Sequence, residues 1–227
     1  MKLIFLGPPN SGKGTYAKRI AERTKTTYIS SSGLFRDAAD RGMEFGKKAM
    51  EYINLGRPVP NEMAIGVLIE RLNQPDCANG FIFDTPYNAD QAKEIDKNEK
   101  TKIDVAINVT VPEEILIRRG ASRVACKKCG TTYNLLTVPP KKEGVCDKCD
   151  GELYQREDDK KEKIIIRLEE YRIRAGPLEE YYKNTNRLEE VKWDKELIPE
   201  GGTDVPIEDM IKQVMDILER LKSFQIK

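Results

Sequence analysis

The sequence GPPNSGKGT occupies residues 7–15, directly after a short apolar segment at 2–6 and directly before a helical pattern. This order predicts a β-strand, a tight loop and an α-helix in succession. At such a junction, unpaired amide groups and the positive end of the helix dipole favour an anion. Lys13 adds a full positive charge, and glycine lets the backbone approach closely. We therefore predict a loop that binds the phosphates of a nucleotide.

Composition excludes several classes of protein. The chain has 227 residues, with 39 lysines and arginines against 38 aspartates and glutamates. This balance argues against a general polyanion-binding surface, so we expect no nucleic-acid partner. No apolar run approaches the roughly 20 residues that span a bilayer, so we expect no membrane partner and a cytoplasmic location. Histidine is absent, which excludes Ser-His-Asp chemistry and a histidine general base.

Further apolar segments predict a parallel sheet. Strands are expected at 26–30, 79–84, 104–109 and 188–193, with helical patterns between them. This alternation indicates an α/β fold, a parallel sheet flanked by helices, with functional groups at the carboxyl ends of the strands. Asp84 stands at such an end. We predict that it holds Mg²⁺, directly or through water, against the bound phosphates; the alternative is a cap or turn residue.

Four cysteines form two Cys-x-x-Cys pairs, Cys126 with Cys129 and Cys146 with Cys149, separated by residues 130–145. This spacing is typical of a tetrahedral zinc site, and four thiolates with no open position indicate a structural metal. Disulfides are the alternative, although nothing in the sequence suggests secretion. Four thiolates would also suit iron. The segment has too few apolar residues to fold around its own core without a metal.

A phosphate loop, a carboxylate at a strand end and several arginines form the inventory of phosphoryl transfer. In that reaction the protein aligns donor and acceptor phosphates, excludes water and neutralises the charge of the transferred group. The absence of histidine costs nothing, because the phosphate oxygen of a nucleoside monophosphate is already an ionised nucleophile. We therefore expect a kinase that acts on nucleotides.

Six motifs, in this order, resemble those of the adenylate kinase family in its long form with a zinc-bearing LID. They are the loop at 7–15, ISSSGLFR at 29–36, GRPVPNE at 56–62, GFIFD at 80–84, the cysteine pairs, and QREDD at 155–159 continued by RLEEY at 167–171. The resemblance covers nearly the whole chain. It implies a P-loop CORE domain from residues 1–29, 60–121 and 160–227, a helical insert at 30–59 that binds the nucleoside monophosphate, and a zinc-binding LID at 122–159.

The resemblance also implies roles on the donor side, where ATP or another nucleoside triphosphate would bind with Mg²⁺. Arg119 would stack on the donor base as a cation–π partner. Two aspartates would fix the closed LID and orient the arginines around the transferred group. The donor-binding residues would be Asn10, Ser11, Gly12, Lys13, Gly14, Thr15, Arg119, Arg123, Thr132 and Tyr133. The catalytic residues would be Lys13, Arg123, Arg156, Arg167, Asp158 and Asp159.

On the acceptor side, AMP or another nucleoside monophosphate would lie on the helical insert. Ser31 and Arg36 would hold the acceptor, with Gln91 near its base. The acceptor-binding residues would be Ser31, Arg36, Arg57, Pro58, Val59, Thr85, Tyr87, Gln91, Arg156 and Arg167.

Two departures from the family pattern matter. Family members usually continue the third strand as Asp-Gly-Phe-Pro-Arg, whose arginine grips the acceptor phosphate, whereas this chain reads DTPYN at 84–88. Tyr87 takes the place of the arginine if one residue is deleted, and Asn88 does if none is. The loss would weaken acceptor binding by about 1.5–3 kcal/mol, so we predict a weakened or less selective acceptor site. Asn10 stands where the family usually has glycine and should matter less, because the contacts there are mainly with the backbone.

Three alternatives remain open from the sequence. A related kinase of the same fold would use GTP as donor, or UMP or CMP as acceptor. A zinc-ribbon protein with a vestigial phosphate loop would bind nucleic acid through Lys127, Lys128, Lys141 and Lys142. A nucleotide-sensing scaffold would bind without catalysis. The sequence is compatible with a monomer or a small homo-oligomer.

Overall fold

A computed structural model describes residues 1–30, 33–54, 59–84, 88–156, 159–200, 202 and 204–225. Helices and strands alternate along most of these residues. The helices are α1 (Lys13–Thr24), α2 (Leu34–Asp40), α3 (Glu44–Asn54), α4 (Asn61–Leu72), α5 (Ala89–Asp96), α6 (Glu113–Ala121), α7 (Lys161–Asn184) and α8 (Ile207–Gln225). The strands are β1 (Lys2–Leu6), β2 (Thr27–Ile29), β3 (Phe81–Phe83), β4 (Val105–Thr110), β5 (Arg123–Cys126), β6 (Thr132–Asn134), β7 (Leu153–Tyr154) and β8 (Leu188–Lys192).

The described residues fall into two compact units. The first comprises Met1–Gly7, Lys13–Asn108 and Arg174–Glu190. The second comprises Pro8–Gly12, Val109–Ile173 and the described residues from Val191 onward.

The first unit is built on a five-stranded sheet with the order β2-β3-β1-β4-β8. β1 pairs in parallel with β3 and with β4, and β2 pairs in parallel with β3. Leu3 lies opposite Ile82 on one side and Val105 on the other. These pairings confirm the predicted parallel α/β fold, and the strands lie where the apolar segments predict them.

The core of the first unit joins strands and helices. Ile4, Phe81 and Phe83 from the sheet are completely buried and pack in one cluster with Val67 of α4 and Tyr182 of α7. Strands that are buried on both faces read as unbroken apolar runs, which is why the sequence reveals them. The helical pattern predicted after the loop is found as α1, which buries Tyr16, Ala17, Ile20 and Ala21.

The packing of α2 against α3 leaves no room for a side chain at Gly46. A Cβ there would lie 2.5 Å from the backbone carbonyl carbon of Ala38 and 2.6 Å from its Cβ. We expect Gly46→Ala to lower the free energy of unfolding by about 1–3 kcal/mol, because the two helices must separate. Urea denaturation measures this loss.

The matched control is Gly176→Ala in α7, where an added Cβ meets nothing within 4 Å. Alanine forms helix better than glycine by up to about 1 kcal/mol, so this variant should be as stable as the natural chain or more stable. Similar losses of stability in both variants, or no loss at Gly46, would contradict the close packing of α2 and α3.

The second unit contains a small antiparallel sheet with the order β6-β5-β7. Val124 lies opposite Tyr133, and Cys126 lies opposite Leu153. The same residues, with Cys146 and Cys149, form its small apolar cluster. These three short strands are the scaffold of the segment that carries the cysteine pairs.

The closing helix α8 is amphipathic. Met210, Val214, Ile217 and Leu218 are buried, and Leu221 is half-buried. Like every other helix in the described part of the chain, α8 lacks the combination of length and apolar character needed to cross a bilayer.

Candidate active site and thiolate cluster

The loop between β1 and α1 enters the left-handed backbone region at three places. The φ angle is 142° at Gly7, 67° at Asn10 and 91° at Gly12. Glycine has no Cβ to obstruct these angles, and asparagine is one of the few other residues that tolerate φ near 60°. The backbone therefore explains how asparagine can stand at position 10. Lys13 is the first residue of α1, so its charge adds to the positive end of the helix.

Buried polar atoms without partners mark the same loop. Both side-chain amide atoms of Asn10 and the hydroxyl of Ser11 are buried and make no hydrogen bond among the described residues. Since buried polar groups are nearly always paired, these atoms indicate the place of a ligand or a bound water. Asn10 fits only because Gly120 of α6 has no side chain. A Cβ at Gly120 would lie 2.3 Å from Asn10 Nδ2.

Asp84 follows β3 directly, as the sequence predicts, and is buried. The hydroxyl of Tyr28 donates a hydrogen bond of 2.7 Å to Asp84 Oδ2. Burial, and then the Asp84 carboxylate, raise the pKa of Tyr28, so the phenol keeps its proton and acts as a donor. A Cβ at Gly14 would lie 2.4 Å from the same Asp84 oxygen. The carboxylate therefore lies against the first turn of α1, and an oxygen ligand in this position suits Mg²⁺.

Arg119 is buried near the end of α6, and the nitrogens along the edge of its guanidinium group donate hydrogen bonds. Its Nε and Nη2 donate to the two carboxylate oxygens of Asp204, at 2.7 and 2.8 Å, and its Nη1 donates to the carbonyl of Ser11 at 2.9 Å. Burial raises the pKa of Asp204, but hydrogen bonds from Arg119 and Trp193 outweigh it, and the pKa lies below its ordinary value. The faces of the guanidinium take no part in these bonds, and stacking on a base stays a prediction.

Arg123 is the first residue of β5 and is paired with a buried carboxylate. Its Nε donates to Asp159 Oδ2 at 2.9 Å, and its Nη2 donates to Asp159 Oδ1. Asp159 has no exposed surface. If Asp159 orients Arg123, as we predict, it would have to make a pairing of this kind. Asp158, its predicted companion, lies outside the described residues. Arg156 and Arg167 are both half-buried in the same unit, and their action on a transferred group stays a prediction.

Much of the predicted acceptor site is not described. Arg36 is exposed on α2, and Val59 is half-buried shortly before α4. Outside the described residues lie Ser31, Arg57, Pro58, Thr85 and Tyr87. Their contacts with an acceptor stay predictions.

Asn88 and Gln91 form a capping box at the start of α5. The backbone amide of Gln91 donates to Asn88 Oδ1 at 2.9 Å, and the backbone amide of Asn88 donates to Gln91 Oε1 at 3.3 Å. Gln91 Nε2 also donates to Asn61 Oδ1 at 2.7 Å. Asn88 is therefore occupied as a helix cap, which favours Tyr87 as the residue that stands in place of the missing arginine. A role for Gln91 beside the acceptor base stays a prediction.

The four paired cysteines lie together, with every sulfur within 4.8 Å of the others. The sulfurs of Cys126 and Cys149 are 3.4 Å apart, and those of Cys129 and Cys146 are 3.6 Å apart. A tetrahedral zinc site with bonds of about 2.3 Å has sulfurs about 3.8 Å apart. All four cysteines are free thiols, so the disulfide alternative is wrong and the donor set fits a tetrahedral metal.

Each Cys-x-x-Cys pair ends in the same turn. The residue after Cys129 is Gly130, with φ of 70°, and the residue after Cys149 is Asp150, with φ of 56°. In both pairs a backbone amide points at the first sulfur, from Lys128 to Cys126 and from Lys148 to Cys146, each at 3.4 Å. Amides directed at sulfur favour the thiolate, which is the form that binds metal.

Hydrogen bonds also set the protonation of the cluster. Hydrogen bonds with the hydroxyl and the amide of Thr131 lower the pKa of Cys129 to about 6, and a hydrogen bond with the hydroxyl of Tyr133 lowers the pKa of Cys146. A bond with Cys129 raises the pKa of Cys149 to about 12, so without a metal the thiols share protons that a metal would displace. The hydroxyl of Tyr133 therefore lies among the cysteines, and its contact with a donor nucleotide stays a prediction.

Each unit contains its own part of the described candidate residues. The first holds Lys13, Gly14, Thr15, Arg36, Val59, Asp84 and Gln91. The second holds Asn10, Ser11, Gly12, Arg119, Arg123, Thr132, Tyr133, Arg156, Asp159, Arg167 and the four cysteines. Tyr28 and Asp204, which contact two of these residues, were not identified from the sequence.

Comparison with known proteins identifies the family. The family model described as adenylate kinase matches residues 5–187. An adenylate kinase of Archaeoglobus fulgidus is 44% identical over 98% of this chain and 100% of its own. Adenylate kinases of Acetivibrio thermocellus and Thermosipho africanus are 39% and 40% identical, over 98% and 97% of this chain and 100% of their own. These matches do not favour a zinc-ribbon nucleic-acid-binding protein or a kinase of different nucleotide choice. The chain belongs to the adenylate kinase family, and is a nucleoside monophosphate kinase.

Proposed function

We propose that this protein transfers a phosphoryl group reversibly from ATP to AMP in the presence of Mg²⁺, giving two ADP. The observation that carries the proposal is the loop between β1 and α1. There a lysine begins the helix, and Asn10 and Ser11 have buried polar atoms that find no hydrogen-bond partner within the described part of the chain. A loop of this kind binds the phosphates of a nucleoside triphosphate. The name shared by the relatives supports the choice of substrates.

The residues of the chain position and neutralise the reacting groups. Lys13 and the loop amides hold the donor phosphates. An oxygen of the AMP phosphate attacks the γ-phosphorus of ATP, and the bond between that phosphorus and the oxygen that bridges to the β-phosphate breaks. Arg123, Arg156 and Arg167 neutralise the charge of the transferred group. Asp159, which pairs with Arg123, keeps that guanidinium in one orientation. The attacking oxygen is already ionised, so no residue needs to remove a proton.

Two metals belong to the proposal. Asp84 would hold Mg²⁺ beside the donor phosphates, directly or through water, and this ion would supply further positive charge to the phosphates. Cys126, Cys129, Cys146 and Cys149 would hold zinc as a structural ion. The support is the oxygen of Asp84 against the first turn of α1 and the grouping of the four sulfurs.

We also propose the domain organisation that the sequence predicts. Residues 30–59 would bind the acceptor and residues 122–159 would act as a LID, both closing over the substrates to exclude water. Residues 1–29, 60–121 and 160–227 would form the CORE. The protein would act in the cytoplasm as a monomer or a small homo-oligomer, with nucleotides as its partners and without nucleic acid or membrane.

The acceptor site should be weaker than in relatives that have the arginine. Asn88 and Gln91 are the first candidates after residues 85–87, which the structure does not describe. Their side-chain amides are already hydrogen-bonded, to each other's backbone and, for Gln91, to Asn61. We expect Tyr87→Arg to lower the KM for AMP about tenfold, because a bidentate arginine contact with phosphate is worth roughly 1.5–3 kcal/mol. Steady-state kinetics with each substrate varied would measure it, and the KM for ATP should not change.

The control is Asn88→Arg, which places the same charge one residue later but removes the helix cap. It should lower stability by about 1 kcal/mol without improving the KM for AMP. If Tyr87→Arg leaves the KM for AMP unchanged, another cation already performs the role of the missing arginine.

A coupled assay of ADP formation tests the proposed function. Protein and MgATP are combined with AMP, GMP, CMP or UMP, and the series is repeated with other triphosphates. Turnover with ATP and AMP is the expected result, and similar rates across acceptors would indicate a loosened acceptor site. Folded, metal-loaded protein that turns over no pair of nucleotides would overturn the proposal.

A further inference from the structure

Asp204 is a buried carboxylate on which several donors converge, and it lies in a segment to which the sequence assigns no role. Its side chain is only 5% exposed. Oδ1 accepts hydrogen bonds from Arg119 Nη2 at 2.8 Å, from the indole nitrogen of Trp193 at 2.7 Å and from the amide of Val205 at 2.8 Å. Oδ2 accepts from Arg119 Nε at 2.7 Å. A buried charge with four donors is held in one orientation.

The orientation of Asp204 fixes that of Arg119. A guanidinium donates its hydrogen bonds in its own plane. Two of the nitrogens of Arg119 are bound by Asp204, and the third is bound by the carbonyl of Ser11 at 2.9 Å. The plane is therefore held from two sides. A cation–π contact uses the face of the guanidinium rather than its edge. These hydrogen bonds therefore do not conflict with stacking of Arg119 on a base.

The same bonds connect the phosphate loop to the indole. Ser11 belongs to the loop, and its carbonyl is bound by the arginine that Asp204 holds. Trp193 is the only tryptophan of the chain, and its indole N–H donates to Asp204 Oδ1, the same oxygen that accepts from Arg119 Nη2. A change in the position of Arg119 or of the loop would therefore change the surroundings of this indole.

We propose that Asp204 is a positioning residue for the donor nucleotide, which acts by holding Arg119 against the phosphate loop, and that Trp193 senses occupation of the donor site through the same carboxylate. The inference rests on the proposed function, because it assigns the donor site to the loop and Arg119. It concerns the binding of one substrate only. The acceptor should be unaffected.

The first test compares Asp204→Asn with the natural chain. Asparagine keeps the shape but loses the charge and one acceptor for Arg119, so we expect the KM for ATP to rise about tenfold, with the KM for AMP changed less than twofold. Asp204→Glu, which keeps the carboxylate, should recover part of the affinity for ATP. An unchanged KM for ATP in Asp204→Asn, or equal increases for ATP and AMP, would overturn the proposal.

The matched control is Asp96→Asn, because Asp96 has the same kind of surroundings. It is 7% exposed and accepts from Arg187 at 2.5 Å, from the hydroxyl of Tyr181 at 2.7 Å and from the amide of Ile103 at 3.0 Å. This variant should lose thermal stability as Asp204→Asn does, while its KM for ATP stays the same. An equal rise in the KM for ATP would show that any lost buried ion pair has this effect, which would overturn the positioning role.

The second test begins with the natural chain, so its first result does not depend on the folding of a variant. Tryptophan emission of the natural chain is followed while a non-hydrolysable ATP analogue or AMP is added. We expect the analogue to shift the emission and AMP alone to leave it unchanged; the opposite response, or none, would overturn the proposal. In Asp204→Asn the midpoint for the analogue should move about tenfold higher. A donor-specific shift without turnover of any nucleotide pair would contradict the proposed catalysis and leave the donor-site inference standing, so the two failures are distinguishable.

Discussion

Replacement of Lys13 by methionine should lower kcat by about 10³-fold and leave the protein folded. Lys13 is the first residue of α1, directly after a loop whose backbone is left-handed at Gly7, Asn10 and Gly12. In the proposed mechanism its charge and the helix dipole would act together on the phosphates, where negative charge is concentrated during transfer. Methionine keeps the length and most of the volume of the side chain and removes only the charge. Steady-state kinetics should therefore show kcat and kcat/KM falling together.

The control for this prediction is Lys18→Met, on the same helix. Lys18 is exposed and lies outside every motif, so its loss should change kcat less than twofold and stability by no more than about 0.5 kcal/mol. The melting temperature of Lys13→Met should stay within a few degrees of that of the natural chain. A Lys13→Met protein with more than a tenth of natural activity would exclude a central role for this charge.

The sequence predicts the local elements of the fold well, because their signals are local. The strands predicted at 2–6 and 104–109 are found as β1 and β4, within one residue of the predicted bounds. α5 also begins with a local signal, because asparagine followed three residues later by glutamine forms the capping box at Asn88. β6 and β7 have three and two residues. Strands of that length contain too few residues to show a period of two.

Contacts between distant parts of the chain account for what the sequence does not predict. Arg119 and Asp204 are 85 positions apart, and no local pattern relates them. The side chain of Asn10 depends on the absence of a side chain at Gly120, a relation visible only when the loop and α6 are seen together. The identity of each candidate residue follows from its motif, whereas its partner follows from the tertiary structure.

The arginines predicted for the candidate site differ in their surroundings. Arg119 and Arg123 are held by buried carboxylates, Asp204 and Asp159, whereas Arg36 is exposed on α2. A guanidinium that is already oriented loses less entropy when a phosphate or base binds. The two arginines that we predict for the donor site are therefore already oriented, which is consistent with the prediction of a weaker acceptor site.

The largest structural effect should follow loss of the metal that we propose for the four cysteines, and the variant Cys146→Ser should remove it. Cys146 is completely buried, and among the described residues the apolar cluster around it consists of Cys126, Tyr133 and three partly buried neighbours. So small a core cannot hold residues 122–159 together without a metal. We expect metal content to fall from one equivalent of zinc to near zero. The segment should become sensitive to limited proteolysis, and kcat/KM for ATP should fall about 100-fold because β5 carries Arg123.

The matched control is Cys77→Ser, because Cys77 is buried outside the cluster, beside Arg71. It should keep one equivalent of metal and the protease resistance of residues 122–159, whatever its effect on stability. Elemental analysis identifies the ion, and iron in place of zinc would change the metal without changing the structural argument. A Cys146→Ser protein that kept a full equivalent of metal and stayed resistant to protease would contradict this prediction. The four sulfurs would then not be the ligands that hold this segment. Its order would depend on contacts with the rest of the second unit.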